Sequence, residues 1–376
     1  MQSKEFKDYI CVIVSTLNQM VNYIPLKHFE FKEIYNLTID DSKYASNNIW
    51  DKNLKEFFPN IQDISFKQSQ IGNIKAIKRN LNKFKNKKVF WNITGGQRSF
   101  ILAINQLVEK DDIICYLEGN RNRLILLKNN QEKKNIIKDY SREDLTIEIA
   151  LKLMGFDNIN INYNENHIDT NIVESFFDIY KNTSNELRDL LINTKNLDEQ
   201  TALNKLDKLN FEDKESVKKV LKWGYNKNKS IPFGYILEEM SYFFINKKNK
   251  ELGLKSLLNE LKSSVKLLDE KNKFIDEFDL VLLTKNGKLI VFECKSGDMK
   301  GDVAKSTKYS TYAISGAYGL PILITPLLKD EIENLDNLED SVYKYIKKAI
   351  KSAKRAGLEV WGLNEIEDNL KKYIEL

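Results

Sequence analysis

Phe278-Asp279-Leu280-Val281-Leu282-Leu283, then Thr284-Lys285-Asn286-Gly287-Lys288, then Leu289-Ile290-Val291-Phe292-Glu293-Cys294-Lys295 is the stretch on which the reading of this chain turns. Two apolar runs of strand length flank an Asn-Gly turn, and each carries charge only at its ends. Turn geometry decides which face Asp279 occupies, because a one-residue slip carries every side chain to the other side of the sheet. A two-residue loop pairs Lys285 with Lys288 and sets Asp279 opposite Cys294. A three-residue loop with Gly287 left-handed pairs Thr284 with Lys288 and brings Asp279 opposite Glu293. Glu293 and Lys295, two apart on a strand, share a face in either case.

Adjacent carboxylates repel unless a cation lies between them, so Asp279, Glu293 and Lys295 together describe a site for a hard divalent ion, Mg2+ or Mn2+. Such an ion lowers the pKa of a water and offsets the charge of a phosphodiester under attack, with Lys295 as a fixed point charge beside it. A Glu-x-Lys at a strand end taken alone is a solvated pair. The apolar run on both strands tips the balance toward phosphodiester hydrolysis.

Working outward, residues 231–376 read as an α/β domain: a long apolar helix, the hairpin, a helix, a strand at 321–325, a basic helix and a strand at 358–361. Ahead of it, 145–230 reads as a helical connector. Residues 1–144 alternate β-branched runs (10–14, 34–39, 61–66, 89–93, 113–117) with helical spacing (42–58, 71–84, 98–108), as a Rossmann-like domain with a mostly parallel sheet does, and a hairpin through Gly119-Asn120 would close it.

Length and composition agree with this division. The chain has 376 residues, 42% of them hydrophobic, with 59 basic and 54 acidic side chains and a formal charge of +5. That excludes a disulfide-stapled mini-protein and wholesale disorder, and such a mild charge excess permits a polyanionic partner without demanding one. Cys11, Cys115 and Cys294 each lie in an apolar run, outside any metal-binding spacing, and are expected as buried reduced thiols. With no leader-like or membrane-length apolar segment, the expected location is the cytoplasm, with no membrane partner.

Asp279 followed by Glu293-Cys294-Lys295 resembles the PD-(D/E)xK signature of the restriction-endonuclease-like fold. Phe233-Gly234-Tyr235-Ile236-Leu237-Glu238 resembles the acidic first helix of that family, which implies Glu238 as a further carboxylate. On the helical wheel Ile236, Met240, Phe243 and Phe244 form the core stripe and Glu239 lies nearer its edge, so Glu239 is the rival. In such a fold the helix bearing Lys305, Lys308, Tyr309 and Tyr312 crosses the site, with Lys308 able to reach substrate phosphates. The basic face from Lys344 to Arg355 would line a nucleic-acid groove or stand solvated.

In the first domain, Val89-Phe90-Trp91-Asn92-Ile93-Thr94-Gly95-Gly96-Gln97-Arg98 runs from a strand through a glycine turn to a helix N-terminus, an arrangement open to anions. Asn-x-Thr-Gly-Gly-Gln-Arg resembles the fourth-strand motif of CARF domains, the CRISPR-associated Rossmann-fold sensors of cyclic oligoadenylates, although Thr-Lys is commoner there than Gln97-Arg98. Val14-Ser15-Thr16-Leu17-Asn18-Gln19 matches that family's other ligand loop. The resemblance implies ligand contacts from Ser15, Thr16, Asn18, Gln19, Thr94, Gly95, Gly96, Gln97 and Arg98.

A CARF domain followed by a PD-(D/E)xK domain is similar to the ancillary nucleases of type III CRISPR systems. That implies a homodimer with cyclic tetra-adenylate on its two-fold axis as activator, catalysis by Glu238, Asp279, Glu293 and Lys295, a metal on Asp279 and Glu293, and DNA, RNA or both as substrate. The alternatives are a ligand-sensing transcription regulator with an inactive nuclease fold, and an unregulated restriction or repair nuclease.

Overall fold

The structure is a computed structural model describing residues 3–40, 49–119, 123–128, 136–139, 144–161, 167–182, 185–252, 258–285, 287–316 and 319–374. Among them the chain forms two compact units: Met1–Ile159 with the short pieces Lys285–Lys288 and Ile314–Tyr318, and Asn160–Thr284 with Leu289–Ala313 and Gly319–Leu376. It is a mixed α/β protein with one mixed sheet of seven strands and another of six. No described helix is long and apolar enough to cross a membrane.

The seven-stranded sheet consists of β1 (Ile10–Val14), β2 (Glu33–Asp40), β3 (Ile61–Lys67), β4 (Val89–Asn92), β5 (Ile113–Glu118), β6 (Arg123–Lys128) and β7 (Ile136–Asp139), ordered β3-β2-β1-β4-β5-β6-β7. The first five run parallel, β6 pairs antiparallel to β5, and β7 pairs antiparallel to β6. Every residue of β1 and of β4 is buried, as central parallel strands covered on both faces require. Order reverses between β1 and β4, which creates the crevice at strand carboxyl ends where open α/β sheets take ligands. The expected strands are all present. Of the expected helix 42–58, Ile49–Phe57 is helical and 41–48 lies outside the described residues, as does Asn120 of the expected hairpin turn.

The six-stranded sheet consists of β8 (Asn158–Ile161), β9 (Leu258–Leu268), β10 (Phe274–Thr284), β11 (Leu289–Cys294), β12 (Leu320–Thr325) and β13 (Glu359–Gly362), ordered β13-β12-β11-β10-β9-β8. The hairpin β10-β11 lies at its centre, antiparallel, while β11, β12 and β13 run parallel. The helix Pro232–Leu252 buries Phe233, Ile236, Leu237, Met240 and Phe244 in a core shared with Leu280, Leu282, Ile290 and Phe292 of the hairpin. From Asn160 onward the helices of the expected connector pack into this second unit; Val173, Phe176, Tyr180, Val220 and Leu221 join the same core.

Candidate functional site

The strands pair Leu280↔Phe292, Val281↔Val291, Leu282↔Ile290 and Leu283↔Leu289, and this register, carried one residue further at each end, sets Thr284 opposite Lys288 and Asp279 opposite Glu293. This is the three-residue loop of the two turn geometries. Gly287 has φ +86°, the left-handed conformation that loop requires of it; Asn286 lies outside the described residues. The register therefore puts both carboxylates on one face of the sheet.

At that end the ladder opens. The Asp279 carboxylate accepts the Cys294 amide at 2.7 Å, and the Lys295 amide turns to Ile324 on β12. The Lys295 ammonium lies 2.5 Å from Glu293 and 3.8 Å from Asp279, bridging the pair. Burial, reinforced by Glu293, pushes the Asp279 carboxyl up to about 7 although Lys295 and the Cys294 amide favour its charge. Burial works against the Lys295 ammonium, yet Asp279 and Glu293 outweigh it and hold the group above its ordinary value. The result is a pocket with more negative charge than one lysine comfortably balances. Beside it, Ser264 of β9 takes a left-handed φ of +47° where the β9-β10 pairing passes Asp279, a strain of about 1–3 kcal/mol for a non-glycine residue.

The two helix acids separate cleanly. Glu239 is buried, and both its oxygens are engaged, one with His167 Nδ1 at 2.9 Å and the other accepting the Ile168 amide at 2.8 Å; His167 in turn stacks on Tyr242. Glu238 is half-buried, and its charge acts on β11: burial raises the Cys294 thiol well above its usual value, with Asp279 and then Glu238 adding to it. Among the described residues no three His, Cys, Asp or Glu side chains gather as a metal cluster, so Asp279 and Glu293 are the two donors placed together. The Lys308 ammonium points at Gly357, just past the helix Asp340–Ala356, and over the Tyr312 ring, rather than at the carboxylates. Half of the basic face of that helix is paired: Lys347 binds Asp340, Lys348 binds Asp298 and Lys351 binds Asp336.

In the first unit the loops after β1 and β4 leave adjacent strands at the crevice. A Cβ on Gly95 would meet Thr16 Cγ2 at 2.9 Å, and one on Gly96, at φ +89°, would meet Val14 Cγ1 at 2.1 Å. The glycine pair is thus demanded by the close approach of the two loops. Gln97 and Arg98 are exposed at the start of the helix Arg98–Asn105, and Thr16 and Asn18 are partly exposed. Gln19 is fully buried, donating to Asp51 at 2.6 Å and accepting from Asn22 at 2.8 Å. The Thr94 hydroxyl donates to Asn92 at 2.6 Å and accepts the Leu117 amide at 2.8 Å. Gln19 and Thr94 shape the crevice walls from within.

No family model matches the chain, and no curated protein matches it by sequence. Comparison of folds finds clear relatives. Can2 from Sulfobacillus thermosulfidooxidans, solved in complex with cyclic tetra-adenylate, superposes with a TM-score of 0.68 at 15% identity over 98% of both chains. Protein VC1899 from Vibrio cholerae gives 0.63 at 16% identity, covering 98% of this chain and 97% of that one. A type III CRISPR defence DNA nuclease activated by cyclic oligoadenylate gives 0.52 at 15% identity, and 87% of this chain covers 46% of that longer one. The chain shares its fold with these proteins.

In the first unit, Asp51 is a further residue of the crevice. Its buried carboxylate accepts from Ser15 Oγ at 2.6 Å, Gln19 at 2.6 Å and Asn36 at 3.0 Å, and so fixes the loop after β1. Burial raises its carboxyl above the usual range, while the bonds from Ser15 and Asn36 pull it down. Asp51 is one of the residues lining a cavity of about 370 Å³ with Thr38, Asp40, Lys52 and Ser65 at the carboxyl ends of β2 and β3. No local motif announces it: the acid comes from a helix 36 residues beyond Ser15.

Proposed function

We propose that this chain is a metal-dependent nuclease switched on by a cyclic oligoadenylate, with cyclic tetra-adenylate as the preferred activator, acting on DNA, RNA or both as a homodimer in type III CRISPR defence. The observation that carries the reading is the convergence of Asp279, Glu293 and Lys295 at one open ladder end. The fold-level likeness to Can2 bound to cyclic tetra-adenylate supports the regulatory half.

The residues present fit a hard divalent cation. Two carboxylates face each other where burial, and then the charge of Glu293, lifts Asp279 to about 7, a shift that a bound cation would offset. Two donors suit Mg2+ or Mn2+, ions that keep most of their octahedral shell for water and phosphate oxygens. When bound, the ion supplies charge neutralisation at the phosphodiester and a more acidic water.

The protein's own groups do the rest. Asp279 and Glu293 hold their charge within one wall, with the Cys294 amide fixing the Asp279 rotamer. Lys295, released from part of its bridge, presents its ammonium to the attacking water or a non-bridging phosphate oxygen. Glu238, from the helix packed on the other face of the hairpin, assists by orienting water at the strand end. In the CARF unit, Ser15, Thr16, Asn18, Gly95, Gly96, Gln97 and Arg98 meet the activator, with Gln19, Thr94 and Asp51 behind them. Activation requires that the ligand bind the cleaving arrangement more tightly than the resting one.

The test is cleavage of labelled DNA and RNA with and without cyclic tetra-adenylate, each in Mg2+, in Mn2+ and in EDTA. Activity that needs both ion and activator supports the reading. Equal cleavage without activator removes the regulatory half, and cleavage persisting in EDTA removes the metal.

A further inference from the structure

The chain's positive charge is concentrated in one place. Between residues 64 and 108 there are nine Lys and Arg and no Asp or Glu, while the remainder of the chain holds 50 basic against 54 acidic side chains. The entire positive excess thus belongs to a single segment of the CARF unit.

The fold gathers that charge rather than dispersing it. A groove of about 620 Å³ lies between the helix Ile74–Leu81 with the turn after it and the segment Gln106–Glu109, and Lys75, Lys78, Arg79 and Lys85 line it. Phe84, Lys85, Glu109 and Asp112 precede β4 or β5, so the groove opens at the amino ends of those strands. The expected activator loops leave the opposite, carboxyl ends.

None of the four lining cations makes an ion pair among the described residues; Lys78 donates only to Gln106 at 3.2 Å. The two acids in the groove are already engaged. Asp112 accepts the Val89 and Glu109 amides and the Trp91 indole, all at 2.9 Å, and Glu109 accepts the Asn86 amide at 2.8 Å. Nearby Lys83 is lowered by burial and then by the repulsion of Lys87, as expected of crowded like charges. The basic helix Asp340–Ala356 offers a partial contrast, since three of its lysines, Lys347, Lys348 and Lys351, are paired with aspartates.

We infer that this groove is a second nucleic-acid surface, which holds the phosphate backbone of a substrate strand on the sensor unit, at the end of its sheet opposite the activator crevice. The inference rests on the nuclease reading for its choice of substrate. A phosphodiester chain is the occupant that charge complementarity selects: uncompensated cations along a groove neutralise successive phosphates and release their counterions. An anionic membrane is the weaker fit, because no large exposed hydrophobic side chain lies between residues 68 and 97 to enter a bilayer.

The experiment measures binding of a fluorescent single-stranded 30-mer to the full chain in EDTA, so that no cleavage intervenes, from 50 to 300 mM salt. The combined variant Lys75→Gln, Arg79→Gln, Lys85→Gln removes three exposed cations. Its affinity is expected to fall about 100-fold at 0.1 M salt, and its slope of log K against log salt to flatten by about 2. A combined Lys75→Arg, Lys85→Arg variant keeps the charge and is expected to bind as the parent does. Unchanged affinity and slope in the Gln variant overturn the inference, as does a parent chain that binds phosphatidylserine vesicles but not the oligonucleotide. Cleavage of a saturating dinucleotide-scale substrate with activator is read alongside. Activity retained there, with 30-mer binding indifferent to the substitutions, sinks this inference alone, whereas no cleavage of any substrate sinks the nuclease reading itself.

Discussion

Replacing Asp279 by Asn should make the protein inactive and more stable. The Asn side chain keeps an oxygen for the Cys294 amide, so the substitution removes charge with little change of shape. The Asp279 carboxyl sits at about 7 in the folded chain against 3.8 ordinarily. At about 1.4 kcal/mol for each tenfold change in proton affinity, keeping it ionised above pH 7 costs the fold up to about 4 kcal/mol in the absence of a bound ion.

The sign follows from proton counting. Below pH 3.8 both folded and unfolded forms are protonated and the substitution gains nothing. Between 3.8 and 7 only the folded form holds the proton, so the parent loses stability as pH rises. Above 7 the loss is complete. Urea unfolding in EDTA, followed by circular dichroism at pH 5, 6, 7 and 8, should show Asp279→Asn pulling ahead of the parent and levelling off by about pH 8. Millimolar Mg2+ should then narrow the gap by stabilising the parent alone. A variant less stable than the parent at pH 8, or an advantage independent of pH, would refute the account of the site as an under-neutralised carboxylate pair.

Lys295→Gln should lower cleavage by about 100-fold or more in saturating Mn2+, measured as turnover on a labelled oligonucleotide, because the ammonium that bridges Asp279 and Glu293 is gone. Glu238→Gln is expected to slow turnover about tenfold, while Glu239→Gln, which weakens the tie to His167 and Ile168, should leave turnover unchanged and lower the unfolding free energy by about 1 kcal/mol. Gly96→Ala adds a methyl group 2.1 Å from Val14 at a left-handed backbone, and should destabilise by about 1–3 kcal/mol in a thermal melt and abolish activator binding by calorimetry. Ser264→Gly relieves the strained backbone beside Asp279 and should raise stability by up to about 1 kcal/mol at pH 7.

The parts of this fold that sequence reveals are those whose signals are local. Val12, Ile13, Trp91 and Leu282 lie in short apolar runs bounded by turns, and each run is a strand. Three strands, β7, β8 and β9, stand outside the expected ones, and for β9 and β8 the physical reason is visible. β9, Leu258–Leu268, interleaves Leu and Val with Glu, Lys and Ser in a pattern that suits a helix as well as a strand, and only pairing with β10 selects the extended form. β8 is four residues long in an Asn-rich stretch that reads as loop, and it exists because an edge of the sheet was available to it. The site divides the same way. Glu293 and Lys295 announce themselves two apart, but Asp279 needed a register that the turn residues left open between two lengths. Gln19 and Thr94 carry polar side chains in ligand-like loops, and their inward bonds to Asp51, Asn92 and the Leu117 amide are made at distances of 2 to 32 residues along the chain.

β10 and β11 are apolar on both faces from Leu280 to Leu283 and from Leu289 to Phe292, so their interior side chains are nearly indifferent to sliding by one position. Two marks break that indifference: the left-handed glycine at one end of the hairpin and the acidic residues at the other, which a slip would drive under the apolar helix Pro232–Leu252. The charges thus act as a ruler for the strands that carry them. Neutralising them with apolar residues would do more than silence chemistry, because it would also remove the chain's own means of rejecting a misaligned hairpin.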